Sequence, residues 1–285
     1  MWLILALIAA VGIATREVLV KRARRAVDEF RVVFWAAAGA ALLLLPLAIV
    51  AGEPLQDGFW GALAVSGGIN AVAALLIARA VHGSDLSLVS PLKSLTPVFM
   101  LVTAPLIIGE TASAVGMAGV VVIVAGAYLL SEPEGEGILA PYRALARDTG
   151  AREMLVVAAI FSVSAVVDKI GVIASGPFAW AAAINVFVAI SVAPWALGAW
   201  RQGPQPARGA TADLAGAALA TAVALAAQMA AITLTAAAYV IAVKRTSVLF
   251  AVLAGGLLFG ERATRRRLVA ALIMLAGFAL VTLAG

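Results

Sequence analysis

Three basic residues, Lys93, Lys244 and Arg245, lie inside long apolar stretches of the sequence. A basic side chain in the middle of a membrane span costs about 2.5–3.5 kcal/mol even on insertion scales, so it needs a water-lined cavity or a countercharge. Their side chains offer only hydrogen-bond donors, which suits them to hold a carboxylate or a phosphate. The alternative is that both lysines snorkel to the membrane interfaces.

The composition places these cations in a membrane protein. Of the 285 residues, 64% are hydrophobic and 12% are charged, whereas soluble domains have about 45–50% and about 25%. This excludes a water-soluble enzyme, a disordered segment and a nucleic-acid-binding domain. The sequence has no Cys and one His, so we expect no metal centre and no other cofactor.

Ten apolar segments, each about as long as a membrane-spanning helix, are separated by polar breaks. Lipid offers no partner for an unpaired backbone group, so such runs predict helices and an all-α membrane fold. The first segment has no basic region before it and no cleavage motif, which favours a retained helix over a signal peptide. The predicted spans are 2–20, 29–50, 59–80, 86–108, 112–131, 152–171, 177–199, 212–235, 237–259 and 265–284.

The two halves of the chain repeat at an offset of 151 residues, which pairs Lys93 with Lys244. Residues 91–130 and 242–281 share nine identities in 40 positions at this offset. We therefore predict a first five-helix repeat over 1–131, a linker over 132–151 and a second five-helix repeat over 152–285.

The basic residues predict how these repeats lie in the membrane. Sixteen of the twenty lie in or beside the loops between segments 1–2, 3–4, 5–6, 7–8 and 9–10. The loops that carry basic residues in the second repeat correspond to loops of the first repeat that carry none. The two repeats are therefore predicted to be inverted relative to each other, as in many secondary transporters. The positive-inside rule places the linker in the cytoplasm and both termini outside.

Two paired segments resemble a known family. SPLKSLTPVFMLVTAPLIIGE and AVKRTSVLFAVLAGGLLFGE, each followed by a small-residue helix with an Ala-Gly pair, are similar to EamA-type members of the drug/metabolite transporter superfamily. The resemblance covers nearly the whole chain. It implies a ten-helix, multi-pass protein of the inner or plasma membrane that is not an enzyme and moves a small molecule.

A narrower resemblance, to triose-phosphate and nucleotide-sugar translocators of the same superfamily, concerns the three cations. Those proteins carry a Lys before a Pro on helix 4 and Val-Lys-Arg on helix 9, and in the plastid members these cations hold the substrate phosphate. Residues 93–97 (Lys-Ser-Leu-Thr-Pro) and 243–245 (Val-Lys-Arg) occupy those positions. Thr96 replaces the carboxylate that the plastid members have before the Pro, and their His and Tyr ligands have no counterpart. The resemblance implies an anionic substrate.

Other polar residues extend the candidate site. Asn70, Gln228 and Tyr239 are candidates for polar lining, although such groups in helix bundles more often bond helix to helix. The candidate substrate-binding residues are Lys93, Thr96, Gln228, Tyr239, Lys244, Arg245 and Ser247.

Four acidic residues suggest other roles. The offset pairs Glu17 with Asp168, and a carboxylate in low dielectric can exchange a proton for substrate. Because Arg16 and Lys169 adjoin them, interfacial ion pairs are the alternative. The Gly-Glu pairs at 109–110 and 260–261 each open a helix, where a carboxylate can cap free N–H groups.

The predicted function is secondary transport of a small anionic metabolite, an organic phosphate or a carboxylate, by alternating access around a central cationic site. No Walker motif supports ATP-driven transport. Two alternatives stay open: an exporter of neutral or zwitterionic metabolites such as amino acids or drugs, and a structural or lipid-handling protein without a transport cycle. The expected partners are the substrate, the lipid bilayer and a coupled proton or counter-substrate, with no nucleic acid.

The charge count gives a test of orientation. Members of the superfamily are commonly drawn with cytoplasmic termini, whereas the basic residues of this sequence predict the reverse. A reporter that is active only in the cytoplasm should therefore be silent when it is fused after Gly285 and active when it is inserted into the 132–151 linker. A bright signal from the C-terminal fusion would reverse the orientation.

Overall fold

All regular secondary structure in the described residues is helical. The structure is a computed structural model that describes residues 1–83, 90–131, 139–202, 208–250 and 265–284. A 3-10 helix, Ser90–Leu95, leads into α4, and residues 247–250 are helical. The α-helices are α1 (Trp2–Ala23), α2 (Glu29–Ala51), α3 (Phe59–Gly83), α4 (Thr96–Ile108), α5 (Ala114–Ser131), α6 (Ala140–Arg147), α7 (Thr149–Ser175), α8 (Pro177–Gln202), α9 (Arg208–Ile232), α10 (Ala237–Lys244) and α11 (Arg265–Ala284).

Most of these helices suit a bilayer. Within the described residues, seven helical stretches are long and apolar enough to cross a membrane, and Phe59–Ala74 and Ala114–Leu130 are shorter apolar stretches. The predicted all-α membrane fold is thus confirmed. The ten-helix count stays a prediction, since the ninth predicted segment, 237–259, extends beyond the described residues.

The linker contains a helix, α6, that the apolar-run criterion does not predict. Asp148, which follows α6, accepts a hydrogen bond from the Ala151 amide (3.0 Å) and so caps α7, which begins earlier than expected. The Arg152 side chain donates to the carbonyls of Leu145 and Ala146, both at 2.8 Å, and closes the C-terminal end of α6. Short side-chain hydrogen bonds therefore order this polar segment.

The chain packs into two compact units, and each unit uses residues from both predicted repeats. Unit 1 comprises Met1–Gly67 and Asp168–Thr233, and unit 2 comprises Gly68–Val167 and Leu234–Gly285. The helices α3 and α7 contribute residues to both units.

Small residues bring the helices of unit 1 close together. Gly12 of α1 faces Ala224 of α9, where a methyl group on the glycine would lie 2.9 Å from the alanine Cβ. Gly39 of α2 faces Ala218 of α9 in the same way, at 2.6 Å. Without a hydrophobic driving force between helices in lipid, such close approach supplies the van der Waals contact that holds them together.

In unit 2, α5 and α11 approach until their backbones touch. A methyl group at Gly277 of α11 would lie 2.6 Å from the amide nitrogen of Ile123 and 2.8 Å from the carbonyl oxygen of Gly119. The neighbouring atoms are backbone atoms of another helix, so they cannot move aside as a flexible side chain can.

This packing predicts that Gly277→Ala destabilises the protein by about 1–3 kcal/mol, because overpacking forces the two backbones apart. Gly198→Ala in α8 is the matched control: a methyl group there has no neighbour within 4 Å. It should be neutral or stabilise the helix by about 0.5–1 kcal/mol. Thermal unfolding of the two purified variants measures the difference, and equal midpoints would contradict the close approach of α5 and α11.

Candidate functional site

Lys93 lies in the 3-10 helix that precedes α4. In a continuous α-helix the Lys93 carbonyl would accept from the amide of residue 97, but residue 97 is proline and has no N–H. The 3-10 geometry brings the amide of residue 96 to this carbonyl, and the buried Thr96 hydroxyl also donates to it, at 2.9 Å. Within the predicted helix over 86–108, residues 90–95 are therefore 3-10 helical and not α-helical, and the flanking prolines, Pro91 and Pro97, are the sequence signal for this change.

Apolar contacts anchor the 3-10 helix. Leu92 is completely buried in a cluster with residues of α3 and α7, and Leu95 packs against that cluster. Phe161 of α7 also contacts the cluster, and its ring centroid lies 5.4 Å from the Lys93 ammonium nitrogen, a cation–π contact. Half-buried Lys93 is thus placed by its apolar neighbours and by one aromatic ring.

A second break lies at Lys244 and Arg245. The helix α10 ends at Lys244, and the next bonds run from Arg245 N to Ala242 O (2.9 Å) and from Thr246 N to Val243 O (2.9 Å). These are three-residue spacings, typical of 3-10 geometry. The Thr246 hydroxyl also donates to the Val243 carbonyl, at 2.7 Å. The helix resumes at residue 247, so the predicted continuous span from 237 is wrong here as well.

The two breaks occupy matched positions. The offset of 151 residues carries 90–95 onto 241–246, which contains the end of α10 at Lys244 and the turn at 245–246, so the second interruption falls at the end of the matched range. A departure of this kind at membrane depth is tolerated where the backbone is buried in protein or lines a cavity. In 3-10 geometry, side chains three residues apart align, so Lys93 shares its face with Thr96 and not with Pro97 as α-helical spacing predicts.

Arg245 connects the two breaks. Its Nη2 donates to the main-chain carbonyl of Lys93, at 2.8 Å. This contact lies within unit 2 and involves the main chain of Lys93, so the cationic site formed by the three side chains stays a prediction. Ser247 is buried immediately after the second break.

Tyr239 and Glu110 tie the start of α10 to the α4–α5 connection. The Tyr239 hydroxyl accepts from the Ser113 amide (3.0 Å), and the Glu110 carboxylate accepts from the Ala237 amide (2.7 Å). Glu110 thus caps the N-terminus of α10. At the start of the following helix, α5, the Ser113 hydroxyl accepts from the Gly116 amide, at 3.2 Å. The matched Gly260-Glu261 pair lies outside the described residues.

Glu53, which the sequence analysis did not single out, makes an equivalent cap in unit 1. Its carboxylate accepts from the amides of Ala179 (2.6 Å) and Phe178 (3.3 Å) at the start of α8. Gly176 turns the chain there with φ of +86°, and a side chain on it would collide with Glu53. In the sequence, Glu53 is only an acidic residue in a loop, and the amides that it caps lie more than a hundred residues away. The sequence therefore gives little indication of this cap.

Asp168 and Glu17 have different surroundings. Asp168 is buried in unit 1, with 8% exposure, and its Oδ1 accepts from the Ser66 hydroxyl (2.6 Å) and the Trp180 indole N–H (3.2 Å). The Trp180 ring packs directly on Gly171. Glu17, on α1, is exposed. One of the two candidate coupling residues therefore belongs to an internal polar cluster and the other does not.

The remaining polar candidates bond or lie between helices. The Asn70 side-chain amide donates to the Ser164 hydroxyl, at 3.0 Å, which joins α3 to α7 in unit 2. Gln228 is buried in α9 of unit 1. Among the residues that the structure describes, no group of three or more His, Asp or Glu side chains could hold a metal ion.

Comparison with known proteins agrees with this fold. The model of the EamA-like transporter family matches residues 1–132 and 150–283. A solved crystal structure matches with a TM-score of 0.79 and 14% identity, over 99% of this chain and 96% of that chain, which shows the fold alone. Among curated proteins, no sequence matches. Because the family model covers nearly the whole sequence, the chain belongs to the EamA-like transporter family, which makes it a multi-pass membrane protein that transports small molecules.

Proposed function

We propose that this protein is a secondary transporter of a small anionic metabolite, an organic phosphate or a carboxylate, and that Lys93, Lys244 and Arg245 form its substrate site. The observation that carries the proposal is the hydrogen bond from Arg245 to the Lys93 carbonyl at two matched breaks. Because this bond joins Arg245 to the turn that carries Lys93, it supports the proposal that positive charge is concentrated where the two predicted spans depart from α-helical geometry.

The charge of this region favours an anion. Three cations repel one another, and each is costly inside a membrane. The Glu110 carboxylate caps the far end of α10, about 10 Å away along the helix axis at 1.5 Å per residue. An anionic substrate would offset the repulsion and gain charge-assisted hydrogen bonds, which are about twice as strong as neutral ones.

The breaks also support alternating access. Discontinuous helices supply the substrate sites of many secondary transporters, and a 3-10 stretch inside a helix often marks a hinge. The arms on either side of such a break can tilt while few backbone hydrogen bonds change. We therefore propose that the hinge points of the transport cycle lie at 90–95 and 245–246.

We assign proton coupling to Asp168 and not to Glu17. Asp168 is buried among fixed donors, whereas Glu17 is exposed on α1. The next residue along the chain, Lys169, is charged, and the Glu53 carboxylate caps the start of α8, the helix that carries Trp180. A carboxylate in this setting can take up a proton while its hydrogen bonds hold it in place.

The first prediction concerns the lysines. Lys93→Gln and Lys244→Gln should each lower anion affinity roughly ten- to a hundredfold, since a hydrogen bond to a charged group is worth about 1.5–3 kcal/mol. The probes are inorganic phosphate, glycerol 3-phosphate and lactate, with glycerol and alanine as neutral and zwitterionic comparisons. Thermal shift of purified protein measures binding, and uptake into proteoliposomes measures transport.

Lys21→Gln is the control, because it removes an exposed cation outside the site. Normal uptake of the anions by both site variants would reject the site and leave the snorkelling interpretation. A thermal shift with alanine but with none of the anions would support the zwitterion exporter.

The second prediction concerns coupling. Asp168→Asn should still bind substrate but lose the acceleration that a pH gradient gives, because the amide cannot take up a proton. Its side-chain oxygen can still accept from Ser66 and Trp180, so the fold should survive. Glu17→Gln should keep full gradient dependence. Uptake with and without a pH gradient tests both variants, and an unchanged gradient effect in Asp168→Asn would exclude this residue.

A further inference from the structure

We propose that Arg22 and Arg25, at the turn between α1 and α2 in unit 1, bind the phosphate of an anionic phospholipid. The partner is a lipid whose headgroup has a net negative charge, such as phosphatidylglycerol. This lipid site uses none of the residues of the substrate site proposed above, so the two proposals can fail independently.

The two arginines align because the chain leaves α1 with three-residue spacings. The amide of Arg25 donates to the carbonyl of Arg22 (3.2 Å), and the amide of Ala26 donates to the carbonyl of Ala23 (3.0 Å). Side chains three residues apart align in this geometry. Arg22 and Arg25 therefore lie on the same side of the turn, and both are exposed.

Buried apolar contacts hold the backbone of this turn. Ala23 is completely buried and Val27 is nearly so, and both belong to a cluster with Ala210 and Leu214 of α9. The arginines thus extend from a backbone that is already fixed. A ligand that binds them does not have to order the turn, which lowers the entropic cost of binding.

The carboxylates nearest the turn are already engaged. Asp28 caps α2 and accepts from two amides of its first turn, at 2.9 and 3.4 Å. Glu29 pairs with Arg24, at 2.7 Å. Within the part of the chain that the structure describes, the side chains of Arg22 and Arg25 make no ion pair or hydrogen bond. The turn therefore offers two aligned guanidinium groups to an anion.

Lys21 is also exposed, but its setting differs from that of the arginines. Glu17 precedes it by one turn of α1, a spacing at which a glutamate and a lysine attract each other. Its ammonium also lacks the planar fork of donors with which a guanidinium fits two phosphate oxygens. We therefore assign the phosphate contacts to the two arginines and use Lys21 as a control.

Aromatic residues indicate that this turn lies at the level of the lipid headgroups. The rings of Phe30 in α2 and Trp195 in α8 stack with centroids 6.2 Å apart and an interplanar angle of 21°. Trp195 is about half exposed, and tryptophans of membrane helices concentrate at the membrane–water interface. Phe30 follows Arg25 by five residues, so the arginines lie beside this interface.

An apolar stripe on α2 favours a lipid over a free phosphate. Trp35, Leu42 and Ile49 recur every seven residues and are 42%, 72% and 78% exposed. Residues at this spacing lie on one side of an α-helix, so the stripe suits acyl chains. A lipid can contact α2 with its chains and the arginines with its phosphate, as basic segments beside membrane helices do with anionic headgroups.

The experiment compares phosphatidylglycerol with phosphatidylcholine of the same acyl chains, whose headgroup has no net charge. Each lipid is titrated into the purified protein in detergent, and the midpoint of thermal unfolding reports binding. We expect phosphatidylglycerol to raise the midpoint more than phosphatidylcholine. The double variant Arg22→Lys with Arg25→Lys keeps both charges but loses both forks. It should need roughly fivefold more phosphatidylglycerol, or more, for the same rise.

Lys21→Gln is the matched control, because it removes a charge beside the site but no guanidinium. Its requirement for phosphatidylglycerol should stay within about twofold of the parent. Since all three residues are exposed, the variants should fold, and equal midpoints without added lipid verify this. Equal effects of the two lipids, a double variant that responds like the parent, or a Lys21→Gln requirement raised as much as that of the double variant would overturn the site.

Glycerol 3-phosphate, which has the phosphate but no acyl chains, distinguishes a lipid from a free phosphate. We expect any shift of the midpoint that it causes to persist in the double variant, since that shift comes from elsewhere in the protein. A shift that disappears in the double variant would assign the arginines to a free phosphate and overturn the lipid proposal.

Discussion

A backbone amide or carbonyl that lies in a bilayer must find its partner within the protein, and the fold depends on this constraint. Along most of the chain the partner is four residues away, which is why the apolar runs become helices. The exceptions are residues 90–95 and the turn at 245–246, where three-residue spacings and threonine hydroxyls replace the regular bonds. Both exceptions coincide with the cations. The chemistry of the site therefore follows from how backbone bonding is completed where the α-helix is interrupted.

The free backbone groups at helix ends also need partners, and two helices find these partners far away in the sequence. The first amides of α8 and α10 have no partner within their own helices, and carboxylates from distant loops, Glu53 and Glu110, accept from them. Each cap joins a loop to the start of a distant helix within the same unit. A negative charge at a helix N-terminus also interacts favourably with the helix dipole. These caps fix where α8 and α10 begin, and α10 in turn fixes where Lys244 and Arg245 lie.

The sequence predicted most of the fold but only part of the site. Apolar runs gave helix bounds close to those observed, because membrane insertion imposes both length and composition. Apolar runs could not reveal the breaks, because a segment is equally apolar whether it forms a 3-10 helix or an α-helix. The available signal for the first break was Pro97, which has no amide N–H. Nor could the offset show that Asp168 and Glu17 differ. Ser66, which donates to Asp168, is matched by Ala217, which has no side-chain donor. The sequence offset predicts which positions correspond, whereas the side chains around each position decide its chemistry.

The end of α10 at Lys244 also affects the free-energy cost of placing cations inside the membrane. The helix α10 ends at Lys244, so the carbonyls of its last turn lie at the cations. A helix C-terminus stabilises a nearby positive charge by about 0.3–1 kcal/mol, which offsets only part of the insertion cost of about 2.5–3.5 kcal/mol. Interrupting the helix at Lys244 therefore lowers part of the cost of placing cations at this depth. Under the proposed function, a bound anion would offset a further part of that cost.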